Sequence, residues 1–505
     1  METAIGAALA NARAIREATP VTVSSPSPVG RVVAIGDPQT SAERFFGALR
    51  ANGVLDDDGW VRPDTHLVAM GDYFDYQVSD RQAARVEGVL VLGWLAAHPP
   101  ERVTILCGNH DLSRVMELVS VDDARFAEAA ELGRQIRELP RGARADAEAD
   151  FRVRFPEIAT SGYAARDYNA FTVEQRRLVQ RLLLARRFTL ALAAHAADGT
   201  PVLLTHAGVT TRELGLLGLP DERDPVAIAA ALETHLADAI AVVAAGWRSG
   251  GSQPLSLEPL HVAGAAGQEG GGLLYHRPAD PDRPGADRSW EHAGDRGPRR
   301  FDPRTLPLGL VQLVGHTGHS KAASELARWC HPATDDRRGG LRTLRATPTG
   351  DVIYRRGIHR GDAGDAIVWL CDPEMHYVAS PAHVPVLDLA STPSSTAPRL
   401  RYSVRGLVHP ASLEHLTEAL AALSFVPAPG LELHWRDADI DLSIARAVEV
   451  EPDYYPVLGV IESTRDDAIA RVVRLARVCE ANDIAYQLEL ALPDRDVLAL
   501  RHPAT

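Results

Sequence analysis

The chain has 505 residues, 45% apolar and 24% charged, which is globular composition with material for more than one domain. Acidic residues exceed basic ones by 67 − 53 = 14, which argues against a protein that coats nucleic acid, and no run of 18 uninterrupted apolar residues predicts a membrane partner. Four dispersed cysteines without a CxxC exclude a zinc ribbon or a disulfide framework and fit a reducing, cytoplasmic setting.

Residues 1–28 read as an amphipathic helix and a Ser/Pro linker, without the features of a secretory signal. Short β-branched runs then recur at Arg31–Ile35, His66–Met70, Arg102–Cys107, Val202–Leu204 and Leu310–Val314. They end at Gly36-Asp37, Gly71-Asp72, Gly108-Asn109-His110, Thr205-His206 and Gly315-His316. Continuous apolar runs bounded in this way read as buried strands. Helical patterns at Ser41–Ala51 and Arg81–Ala97 lie between them. Residues 29–390 therefore read as an α/β domain whose site lies at the C-terminal strand edge.

Two stretches read as insertions in that domain. Residues 114–200 look mostly helical, and 249–306 carry the Gly, Pro, Asp and Arg of loops. Lys321 is the single lysine against 52 arginines and reads as an ordinary surface or helix-start residue. Residues 391–398 (STPSSTAP) form a linker. Residues 399–505 then read strand, helix, strand, strand, helix, strand, the order of a ferredoxin-like α+β domain, with the second strand at Leu431–Trp435 and the third at Tyr455–Ile461.

The strand-end residues are Asp37 with Gln39, Asp72 with Asp75, Asn109 with His110, His206, and His316. Carboxylate, amide oxygen and imidazole suit hard or borderline divalent ions. A carboxylate shared by two ions holds them about 3.5–4 Å apart, a spacing that activates water and clamps a phosphoryl oxygen. One Gly-Asp or one strand-end His means little, whereas five such ends in sequence are hard to obtain by chance.

With these motifs the chain resembles the calcineurin-like metallophosphoesterases over residues 31–390. His206-Ala207-Gly208-Val209, Val314-Gly315-His316-Thr317, Tyr275-His276-Arg277 and Asp372-Pro373-Glu374-Met375 are similar to the bacterial phosphoprotein-phosphatase-type branch. The resemblance implies a metallophosphoesterase β-sandwich flanked by helices, with two divalent metal ions, Mn²⁺ foremost and Fe, Zn or Mg²⁺ as alternatives. Asp37, Gln39 and Asp72 would hold the first ion, and Asp72, Asn109, His206 and His316 the second. His110, oriented by Asp75, would be the general acid toward the leaving oxygen. Hydroxide held by the metals would be the nucleophile, and the substrate a phosphoprotein or small phosphate ester.

The chain departs from the family pattern twice. Gln39 stands where His is usual, and its neutral amide favours harder ions and weaker binding. Tyr76-Gln77 follow Asp75 where the family has a phosphate-gripping Arg. Arg277 is the first candidate to replace that clamp and Arg114 the second, because a guanidinium fork matches phosphate. His319, one residue beyond the usual Gly-His-x-His spacing, is a candidate extra ligand in place of the missing histidine. Two further readings are a dinucleoside polyphosphate hydrolase and a decayed metallophosphoesterase-fold binding scaffold. Oligomeric state is not legible.

Overall fold

A computed structural model describes residues 30–76, 81–265, 267–283, 297–330, 338–362, 364–392 and most of 400–502, with Gly6, Ala10 and Ala12. Apart from those three residues, the expected N-terminal helix lies outside the described residues, as does nearly all of the expected linker. The chain divides into two units, Met1–Pro393 and Ser394–Thr505. It is a mixed α/β protein with several sheets.

The first sheet of the larger unit carries β1 (Arg31–Ile35), β2 (Thr65–Ala69), β3 (Val103–Leu106) and β4 (Phe188–Thr189) as parallel neighbours in that order. The second contains β5 (Ala191–His195), β6 (Pro201–Thr205), β7 (Val311–Val314), β8 (Arg342–Ala346), β9 (Val352–Arg356) and β10 (Ala366–Leu370). Its order is β9-β8-β10-β7-β6-β5, with β6, β7 and β10 parallel. A final strand, β11 (Val386–Asp388), runs antiparallel beside β1 and closes the first sheet's edge.

Alternation along the strands explains the layering. Ala34, Val68 and Leu106 from the first sheet share one buried cluster with Val202, Leu204, Leu313 and Trp369 from the second, so the sheets face each other. Val33, Ile35, Leu67 and Ile105 point the other way and pack against helices. Helix α1 (Ala42–Ala51) supplies Phe45 and Phe46 to that layer, and Ser41 caps it by accepting from the Arg44 N–H at 3.3 Å.

The segment expected to be mostly helical holds α2 (Asp123–Glu138), α3 (Arg144–Arg154) and α4 (Val173–Leu184). Its last part instead forms β4 and β5, the latter turning through Asp198-Gly199 to pair antiparallel with β6. Helix α5 (Pro225–Arg248) is long and apolar enough to cross a membrane by length and composition. One stripe of it, including Ile228, Leu232, Leu236 and Ile240, is buried in the larger core.

Among its described residues the smaller unit forms a seven-stranded antiparallel sheet with two α-helices, which corrects the four-strand expectation. The strand at Glu432–Asp437 does not neighbour Tyr455–Ser463; a short strand, Ile440–Ile444, lies between them. Val426–Ala428 and Val497–His502 extend the two edges. Tyr402, Val404, Leu442, Val457 and Leu488 share a buried cluster with Leu416, Leu420, Val472 and Leu475 of its helices.

Candidate metal centre

Six strand ends, three from each sheet, build the site. Asp37, Asp72 and Asn109 follow β1, β2 and β3, while His206, His316 and Asp372 follow β6, β7 and β10; all but the half-buried Asp372 are almost fully buried. The ends are tightly seated. A side chain at Gly108 would collide with Asp72 Oδ1, and one at Gly315 with Asp37 Oδ1. Asp72, Asp75 and His316 adopt left-handed backbone, φ 61°, 65° and 58°, which Asp and His tolerate better than most residues. Buried Asp111 secures these turns by accepting the N–H groups of Asp72 and Gly108 at 2.8 Å and of Tyr73 at 3.0 Å. Burial, then the charge of Asp72, pushes its carboxyl up to about 7.

Asp72, His206 and His316 can hold a metal ion, each offering a ligand atom within 4.8 Å of the others. Their hydrogen bonds fix the ring tautomers. His206 Nδ1 lies 2.7 Å from the Met70 carbonyl, and His316 Nε2 lies 3.0 Å from the Tyr275 carbonyl. A carbonyl only accepts, so those two nitrogens carry the protons. Burial lowers both imidazoles below their ordinary range, reinforced at His316 by Arg277, and keeps them neutral. His206 Nε2 and His316 Nδ1 are therefore bare, and they face each other at 3.1 Å. Asn109 Oδ1 stands 3.2 Å and Asp72 Oδ2 3.5 Å from His206 Nε2. Acceptors converging without a donor repel one another, and a cation removes the conflict. Orientation of a ligand histidine through its other N–H is common at metal sites.

Asp37 sits beside this cluster, with both carboxylate oxygens 2.9 Å from the His316 N–H. Burial, then Asp372 and Asp72, hold its carboxyl well above the ordinary range. Gln39 lines a cavity together with Asp37, and its Nε2 is buried with no hydrogen-bond partner among the described residues. Asp372 is a site residue that sequence reasoning assigns only to a turn. A signal for it exists, because the apolar run Ala366–Leu370 ends at a Cys and an Asp much as the other five runs end at Gly or Thr and a polar residue.

His110 stands at the cavity wall with Nδ1 3.1 Å from Asp75 Oδ2, leaving Nε2 for the cavity. Burial works against its protonation, but the carboxylates of Asp72 and Asp75 outweigh it and raise the imidazole above its ordinary value. Asp75 is itself buried, yet Arg114 and then His110 hold its carboxyl low.

Two expected roles are corrected here. Arg114 is not at the cavity: its side chain is fully buried 2.9 Å from Asp75 Oδ2, bonded to Gln175 Oε1 at 3.0 Å and over the Phe74 ring at 4.2 Å. The short helical turn Asn109–Leu112 carries it behind the dyad. His319 does not join the metal cluster either. The longer Gly-His-Thr-Gly-His spacing makes it the first residue of α6 (His319–Glu325), where Nδ1 meets the Tyr354 hydroxyl at 2.8 Å and Arg342 Nε at 3.3 Å.

The cavity, about 640 Å³, also exposes Arg277, Arg299, Arg300 and Lys321. Arg299 pairs with Glu269, and Arg300 lies 3.4 Å from Glu325. Arg277 Nε is buried without a hydrogen-bond partner among the described residues. Burial, then Arg300 and Arg299, lower its basicity. Sequence reasoning does not single out Arg299 or Arg300, and it takes Lys321 for an ordinary residue.

No family model and no curated protein matches the chain. Among solved structures it is similar to a cold-active protein tyrosine phosphatase, with 14% sequence identity and a TM-score of 0.27 over 60% of this chain and 70% of that one. A likeness of that degree carries no argument.

Proposed function

We propose that this protein is a metal-dependent phosphoesterase of the metallophosphoesterase type, acting on a phosphoprotein or a small phosphate monoester. The observation that carries the reading is the meeting of bare nitrogens from His206 and His316 with Asp72 and Asn109. Asp72, Asn109, His206 and His316 would hold one ion, and Asp37, Gln39 and Asp72 a second. When bound, such ions supply Lewis acidity and an activated water.

The chain's own groups supply the rest. Arg277 faces the cavity with an Nε that has no partner among the described residues, suited to a phosphate oxygen. His110 delivers the Nε2 proton to the leaving oxygen, while Asp75 fixes its ring and stabilises the imidazolium. Arg114 positions Asp75 from behind.

The test is metal analysis of the purified protein together with hydrolysis of p-nitrophenyl phosphate, alkyl phosphates and diadenosine tetraphosphate, with and without Mn²⁺. Bound metal and Mn²⁺-stimulated monoester hydrolysis are expected. Metal-free protein that binds no added Mn²⁺ and cleaves none of these substrates refutes the reading. Preference for the dinucleotide would move the substrate class and keep the chemistry.

A further inference from the structure

Lysine is used once in this chain, against 52 arginines, and that one residue projects into the cavity of the proposed site. Lys321 lies in the first turn of α6, exposed on the wall that also presents Arg277, Asp37 and Asp372. Its surroundings are mixed in charge. Arg277 is the strongest influence and pushes the ammonium down to about 8, against the opposing pull of Asp372, Asp167 and Glu374. The ammonium's field also reaches Asp37 and His316.

Arg277 and Lys321 repel each other, and the charge of Asp372, which acts on both, offsets this only in part, since both stay less basic than usual. A phosphate has the charge and the oxygens to engage both. The two groups bind differently: a guanidinium takes two oxygens in its plane, whereas an ammonium is a compact charge with three rotatable donors.

We propose that Lys321 binds a phosphoryl oxygen of the substrate and forms a two-cation clamp with Arg277 in the cavity that Asp37, Asn109 and His110 also line. This rests on the phosphoesterase reading for its substrate, but its binding test does not depend on turnover. The clamp replaces the arginine that the second motif lacks after Asp75, a position held here by Tyr76.

The single lysine makes a direct test available. Lys321 and the terminal amine are the only amines that trinitrobenzenesulfonate can modify, and peptide mapping separates the two from each other and from any cysteine adduct. Millimolar inorganic phosphate should slow labelling of Lys321 at least about 10-fold in the wild-type protein and leave the terminus unaffected. Lys321→Ala should raise KM for p-nitrophenyl phosphate and weaken phosphate inhibition by a common factor on the order of 10–100, as for a lost charged hydrogen bond. Lys321→Arg should recover part of that factor. Unchanged labelling with phosphate, in a protein that hydrolyses phosphate esters, overturns the clamp and leaves the phosphoesterase reading intact. Protection by phosphate in a protein that hydrolyses nothing supports the clamp and overturns the hydrolytic reading. The labelling arm uses wild-type protein, so its result stands even if the variants do not fold.

Discussion

Arg114→Met takes the guanidinium from behind Asp75 and should destabilise the larger unit by about 3–5 kcal/mol at neutral pH, the range for stranding one member of a buried ion pair. The structure places the pair there and not among surface pairs worth ~0–1 kcal/mol. Neither side chain has any exposure, and the charged atoms are 2.9 Å apart. Arg114 also bonds Gln175 and the His110 carbonyl and covers the Phe74 ring. Methionine keeps most of the stem's packing, so the loss reports mainly on charge.

Its pH dependence has a defined sign. In the wild type the Asp75 carboxyl is held low, so its stabilisation is present above the ordinary carboxylate range and is lost only as pH falls through that lowered value. In the variant burial lifts the carboxyl, and protonation restores stability as pH falls. The gap should therefore narrow between pH 7 and pH 4, and adding Asp75→Asn should recover more than half of it. Urea denaturation followed by tryptophan fluorescence measures this, since only Trp435 lies beyond the larger unit. A loss below about 1 kcal/mol that is equal at both pH values would refute the positioning role, because a buried pair cannot be broken so gently.

His110→Ala should retain metal but slow turnover by roughly 10²–10⁴-fold, and the loss should shrink for good leaving groups; equal losses for p-nitrophenyl and alkyl phosphates would count against the general acid. Gln39→His should tighten the more easily emptied ion site, read as a lower Mn²⁺ requirement in metal titration; identical titrations would remove Gln39 from the ligand set. Glu117, 8% exposed, has its carboxyl pushed by burial from 4.5 to about 7, although Oε1 accepts the Gly264 N–H at 3.0 Å. Stability should thus fall as the unfolded carboxyl ionises above 4.5, so Glu117→Gln should gain about 3 kcal/mol at pH 8 and nothing at pH 4, by urea denaturation.

What can be read from sequence follows from how local each signal is. The five apolar runs ending in Gly or Thr and a polar residue coincide with strands within about a residue, because burial on both faces leaves a nearly continuous apolar run. Asp372 carries a similar signal but escapes notice because its motif suggests only a turn. Arg114 is misplaced because sequence sets it near His110 but does not tell which side of a helical turn it leaves. His319 is misplaced because one extra residue turns a loop position into a helix start. In the smaller unit, Ile440–Ile444 goes unseen; five residues with buried isoleucine and leucine between polar ones are short enough to read as loop. Lys321 shows the opposite failure: its rarity looks like composition, whereas the placement of that residue holds the information.

The ligands also have a topological meaning. Asp72 and Asn109 leave strands of one sheet, and His206 and His316 leave strands of the other. An ion held among them is a cross-link over 316 − 72 = 244 residues of chain, set into the seam between the sheets. Such a closure excludes many arrangements of the unfolded chain, and any affinity for the folded form adds directly to its stability. The same atoms that would prepare a phosphate for attack would thus rivet the two halves of the larger unit together, making catalytic competence and the integrity of the seam a single property.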